Sequence, residues 1–107
     1  MSFSPDYCLT NIQRYDYFII DLPATAFGYD DSMIVRLSID YGKYDAENYG
    51  VNVWASEPRG TSKLYICTIY VPISDHTDRD IIEALNQDEN FHSVICRFIE
   101  LTQKHRK

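Results

Sequence analysis

The 107-residue chain has little of what usually announces chemistry: four glycines, four prolines, three cysteines and one tryptophan. The glycines form neither G-x-G-x-x-G nor a P-loop, so no dedicated phosphate cradle is expected. Cys8, Cys67 and Cys96 are odd in number and lack C-x-x-C spacing. That favours free, reduced thiols over a disulfide framework or a zinc site, and Cys67 and Cys96, set among apolar neighbours, read as inert core residues. No stretch approaches the roughly 20 apolar residues of a membrane span. The start, Met1-Ser2-Phe3-Ser4-Pro5-Asp6, lacks the basic region and apolar run of a secretory signal. The expected location is the cytoplasm. Serine, cysteine, histidine and acids are all present but without a local signature such as G-x-S-x-G, so the sequence predicts no catalytic residue, no enzyme and no cofactor.

What is present is an ordinary globular composition, 45% hydrophobic and 24% charged. This is enough for one hydrophobic core and too short for two, so residues 1–107 read as a single domain. Aromatic residues make up 14%, with nine tyrosines; tyrosine suits strands and binding surfaces alike. The net charge of −6 is unevenly spread: from Arg97 onward four basic residues face Glu100, a local +3, which leaves −9 on residues 1–96. An acidic body repels phosphate, which argues against a nucleic-acid binder and permits a basic partner. Simple solubility would explain the same charge.

Hydrophobic periodicity orders the chain. Asp16 and Asp21 enclose Tyr17-Phe18-Ile19-Ile20, a first strand stopped by Leu22-Pro23, and residues 23–31 read as loop. From Ser32 to Asp40, Met33, Val35, Leu37 and Ile39 fall on one face and Arg36, Ser38 and Asp40 on the other, the pattern of a half-buried strand. After the turn-rich segment 41–48, Tyr49 to Ser56 alternates again through Val51, Val53 and Ala55, completing a long hairpin. Pro58 and Gly60 supply a turn. Leu64 to Val71, apolar on both faces, reads as a central strand ended by Pro72. Thr77 and Asp80 stand in capping-box spacing before a helix over roughly 78–87. Phe91, Val94, Ile95, Phe98, Ile99 and Thr102 then recur at helical spacing in a second amphipathic helix with a basic end. Strands first and helices last predict an α+β fold, an antiparallel sheet of about four strands covered by two C-terminal helices that bury Ile81, Ile82, Leu85, Phe91, Ile95 and Phe98.

Two clusters invite a functional reading. Asp75-His76-Thr77-Asp78-Arg79-Asp80 holds potential metal ligands, but the same residues are what a helix start needs, and capping is the reading adopted. No metal site is predicted. The second cluster is an acidic, aromatic rim: Asp30 and Asp31 before the second strand, then Asp40, Asp45 and Glu47 with Tyr41, Tyr44 and Tyr49 in the next connection. Interfaces favour aromatic anchors surrounded by charge that speeds encounter with an opposite partner; a solvated hairpin loop is the competing explanation. Trp54, opposite Val51, Val53 and Ala55 on the pleat, either stands on the open sheet face or packs under the N-terminal segment, and packing is expected.

The order Tyr17-Phe18-Ile19-Ile20, then Asn48-Tyr49-Gly50-Val51-Asn52-Val53-Trp54 before Glu57-Pro58, then Tyr65-Ile66-Cys67-Thr68-Ile69-Tyr70 resembles part of a known family. With the acidic helix Asp80-Ile81-Ile82-Glu83-Ala84-Leu85 and the aromatic helix Phe91 to Leu101, the chain resembles immunity proteins of bacterial polymorphic-toxin and contact-dependent growth inhibition systems, most nearly the immunity protein eight family. The resemblance implies an antitoxin that binds a cognate toxin protein. The acidic charge makes a basic nuclease the expected partner, with Asp30, Asp31, Tyr44, Asp45, Glu47 and Tyr49 as the candidate toxin-binding residues. Neither nucleic acid nor membrane is an expected partner. A phage anti-defence inhibitor would use the same surface, and a small ligand-binding or enzymatic α+β domain would instead need a deep pocket with converging polar groups.

Overall fold

Period-two alternation leaves each long segment with one apolar face, and the cheapest way to bury several such faces is against one pair of amphipathic helices. The computed structural model describes residues 11–14, 17–60, 62–73 and 78–105. Its elements are β1 (Gln13–Arg14), β2 (Phe18–Pro23), a 3₁₀ turn (Ala24–Phe27), β3 (Ile34–Lys43), β4 (Asn48–Ser56), β5 (Leu64–Pro72), α1 (Asp78–Gln87) and α2 (Glu89–His105). Among the described residues the sheet is an antiparallel meander in the order β1-β2-β3-β4-β5. This is the expected α+β architecture, four long strands plus a two-residue edge, with both helices at the C-terminal end.

Register places Phe18, Ile20 and Leu22 opposite Ile39, Leu37 and Val35, and Leu37, Ile39 and Tyr41 opposite Ala55, Val53 and Val51. These positions form the face that meets the helices, where Ile81, Ile82, Leu85, Phe91, Ile95 and Ile99 are fully buried. Phe98, expected among them, is only half-buried: the residues at i, i+4 and i+8 from Phe91 take the centre of the helical stripe, and Phe98 lies at its edge. There it lines an open groove with Leu64 and Leu101.

Three expectations need correction or placing. The first strand is not stopped by Leu22-Pro23 but includes both, because a proline at the last strand position forfeits little of the ladder. Residues 23–31 contain the 3₁₀ turn, which ends on Gly28 at φ 89°, a left-handed conformation that glycine adopts without strain. Strand β5 is an edge rather than a central strand among the described residues. Its continuous apolar run has another cause: a register irregularity pairs Val53 with Cys67 but Trp54 with Tyr65. Ile66 is therefore an extra residue, and it turns into the core. Tyr65 and Tyr70 remain exposed on the far face.

Asp78 and Asp80 lie in the first turn of α1, favourable to the helix dipole; Asp75, His76 and Thr77 lie outside the described residues. A cap unanticipated from sequence starts α2, where Asp88 Oδ1 accepts the Phe91 N–H at 2.8 Å. Cys67 and Cys96 are free, and Cys8 lies outside the described residues. Burial, reinforced by the charge of Asp88, pushes the Cys67 thiol up to about 11, so at neutral pH it is not the nucleophilic thiolate. No helix among the described residues is long and apolar enough to cross a membrane.

Candidate functional site

Because both helices pack on one side, the opposite face of the sheet carries the residues that alternate with the core. Running from the β3–β4 turn, these are Tyr44 with Tyr70, then Asp40, Asn52 and Thr68, then Ser38, Trp54 and Tyr65. Tyr44 and Tyr70 are 64% and 55% exposed, with ring centroids 4.6 Å apart. Two such rings held together and mostly wet are an apolar surface that water alone does not favour.

Next along the stripe is a directed hydrogen-bond chain. Asn52 Nδ2 donates to Asp40 Oδ1 at 2.8 Å, and Thr68 Oγ1 donates to Asn52 Oδ1 at 2.8 Å. With the Thr68 proton committed, the phenol of Tyr65 donates to Thr68 Oγ1. Every donor points toward the Asp40 carboxylate, so the chain fixes that group in position and polarises toward it. Trp54 stands edge-on to Tyr65, centroids 5.2 Å apart. A cavity of about 300 Å³ is lined by Tyr17, Ser38, Asp40, Trp54 and Lys63, and Lys63 Nζ lies 4.6 Å over the Tyr17 ring. Trp54 is thus half-buried on the face opposite the helices; the expected packing under the N-terminal segment lies outside the described residues. Across the neighbouring strands Arg36 clamps Asp21 through two hydrogen bonds of 2.9 and 3.0 Å, which removes both charges from the surface balance.

The six candidate toxin-binding residues do not meet. Asp30 and Asp31 precede β3 while Tyr44, Asp45 and Glu47 follow it, and ten extended residues hold the two groups about 30 Å apart. Asp31 is a tether: Oδ1 accepts the Met33 N–H at 2.7 Å and Oδ2 accepts Gln103 Nε2 at 2.9 Å, pinning the loop to α2. Tyr49 pairs with Lys43 and Val71 on the helix side and packs against the core, so Tyr44 and Tyr49 occupy opposite faces of the hairpin. Asp45 builds the turn itself, its Oδ1 accepting the N–H groups of Glu47 and Asn48, both at 2.8 Å. Of the six, Tyr44, Asp45 and Glu47 share one exposed tip.

Those hydrogen bonds from Glu47 and Asn48 hold the Asp45 carboxyl below its usual value of 3.8. A lowered folded-state value means the carboxylate's contribution is present above the ordinary value and lost as pH falls through the lowered one. Acidification is therefore expected to loosen this turn below about pH 4. Faster amide exchange at Glu47 and Asn48 than at the β3–β4 ladder would show it, and unchanged relative protection down to pH 2 would contradict it.

Sequence reasoning missed Tyr17, Asn52, Lys63, Tyr65, Thr68 and Tyr70. Their signal was the off-core half of each alternation, but only strand register tells which of these positions are neighbours. Among the described residues no group of three or more His, Cys, Asp or Glu side chains converges as a metal site requires. Comparison with protein-family models, curated proteins and solved structures returns no match in any of the three.

Proposed function

We propose that this protein is an immunity protein that binds a cognate toxin, a basic nuclease domain, and covers its active or substrate-binding site. The observation that carries the reading is the exposed Tyr44–Tyr70 pair beside the acidic tip of Asp45 and Glu47, continuous with the sheet face opposite the helices. Aromatic pairs with a large contact area and few rotatable bonds serve as interface anchors. The charge of residues 1–96 attracts a basic domain from beyond contact distance and speeds encounter at low salt. The resemblance in strand and helix order to the immunity proteins supports the same assignment. Free thiols at Cys67 and Cys96 suit the cytoplasm, where we place the encounter.

The tagged protein, used as bait in an extract of its native host, is expected to retain a basic protein with nuclease activity. One equivalent of the tagged protein should then suppress nucleic-acid cleavage by that protein. Retained nuclease that keeps full activity in the presence of excess bait would rule out the immunity role.

A further inference from the structure

We infer that the cavity between Tyr17, Ser38, Asp40 and Trp54 is a receptor for an arginine side chain of the basic partner, and that Lys63 is its intramolecular competitor. This rests on the reading that the partner is a basic protein and specifies which of its groups the sheet face opposite the helices recognises.

The chain itself shows that the place attracts a cation. Lys63 lies just before β5 and Tyr17 just before β2, with β3 and β4 between them in the sheet. To put its ammonium 4.6 Å from the Tyr17 centroid, Lys63 must stretch across the sheet face. An exposed lysine otherwise keeps its rotamer freedom and its hydration. The aromatic face therefore offsets that ordering, as the negative face of a ring does for a cation within about 6 Å.

Three further features favour a guanidinium over the ammonium now present. Asp40 is one wall, and its Oδ1 is held by Asn52 at the end of the chain from Tyr65 through Thr68, so the acceptor is preorganised. Trp54 is the other wall, braced edge-on by Tyr65. A planar guanidinium stacks on aromatic faces and presents a fork of N–H donors to a carboxylate, whereas an ammonium is a strongly hydrated point charge. The volume of about 300 Å³ is at the small end for ligand sites and suits one side-chain head rather than a larger metabolite. A phosphate-bearing ligand would meet the Asp40 charge.

Competition follows from the geometry. While the Lys63 ammonium covers Tyr17, an incoming arginine must displace it, and apparent affinity is reduced by the fraction of molecules in which the site is closed. Removing the competitor should therefore tighten binding although it adds no contact, and the loss of like-charge repulsion acts in the same direction.

Trp54 is the only tryptophan of the chain, so its fluorescence reports on the site directly. The probe is N-acetyl-arginine amide, with the neutral isostere N-acetyl-citrulline amide as comparison. The wild type is expected to give a saturable emission change with the arginine compound and none with citrulline. Lys63→Gln should bind at least about threefold tighter, and Asp40→Asn about tenfold or more weaker. Circular dichroism confirms that each variant is folded; should Asp40→Asn unfold, Lys63→Gln, at an exposed position, still decides. Equal response to citrulline, unchanged or weaker binding in Lys63→Gln, or no saturation in either protein would overturn the site. The titration contains no partner, so such a result alongside intact nuclease suppression would remove the arginine site and leave the immunity reading standing. Arginine binding without any captured basic protein would count for the site and against the partner.

Discussion

Replacing Tyr44 and Tyr70 together by alanine is expected to weaken capture of the partner by roughly 2–3 kcal/mol, about 30- to 150-fold in Kd. Nearly all of it should appear as faster dissociation, because anchors act after encounter. The rings touch, with centroids 4.6 Å apart, so the single variants should not add up to the double. Both side chains are mostly exposed, and unfolding should be nearly unaffected. The matching control is Asp30→Asn: it lies about 30 Å along β3 from the tip, several Debye lengths at physiological salt, and should leave both rates unchanged. Measuring association and dissociation for the two variants separates the ends of the sheet. A double variant with wild-type dissociation would move the interface away from the hairpin.

The same geometry decides which substitutions make fair probes. Asp45 cannot be neutralised as a pure test of steering, since its carboxylate closes the turn that presents Tyr44. Asp31 cannot either, since it ties the loop to Gln103. Glu47→Gln changes charge with less structural consequence. Truncating Tyr49 should cost folding stability rather than binding, because its ring packs on the core side of the hairpin.

For folding, the largest expected effect is at Phe91. It is completely buried, lies 6.1 Å between ring centroids from Phe27 of the 3₁₀ turn, and its N–H receives the Asp88 cap. Phe91→Ala removes a ring at the point where α2 meets that turn, and the surrounding strands cannot close the space. The expected loss is about 3–5 kcal/mol, a large share of the roughly 5–15 kcal/mol that holds such a domain together. The melting temperature should fall on the order of 15 °C. Ser93→Ala, exposed on the same helix, should shift stability by less than about 0.5 kcal/mol. Thermal denaturation of the pair followed by circular dichroism reads both. A loss below about 5 °C in Phe91→Ala would mean that α2 is not packed as described.

The number and order of elements were legible because they are written in local periodicity. Met33, Val35, Leu37 and Ile39 cannot share a face on anything but a strand, and Phe91, Ile95 and Ile99 share one on a helix. That pattern also determined which side chains of β3 and β4 would face the core, Trp54 being set opposite Val51 and Val53 before any partner strand was known. It could not show that β5 lies at an edge: an inserted Ile66 and an exposed aromatic face produce the same apolar run as a strand buried on both sides. Nor could it show the path of the loop acids, since Asp31 finds Gln103 at a separation of 72 residues while Asp45 bonds only to its immediate neighbours. Proximity along the chain made Asp30, Asp31, Asp45 and Glu47 look like one rim, and an extended strand of ten residues between them placed two at each end of the sheet. The Tyr17–Lys63 contact and the chain from Tyr65 to Asp40 exist only after the antiparallel strands take their registers. Periodicity is a property of one segment and is set by backbone geometry. Register is a property of two, chosen by how their side chains pack and by the turn that joins them, and only the folded sheet contains it.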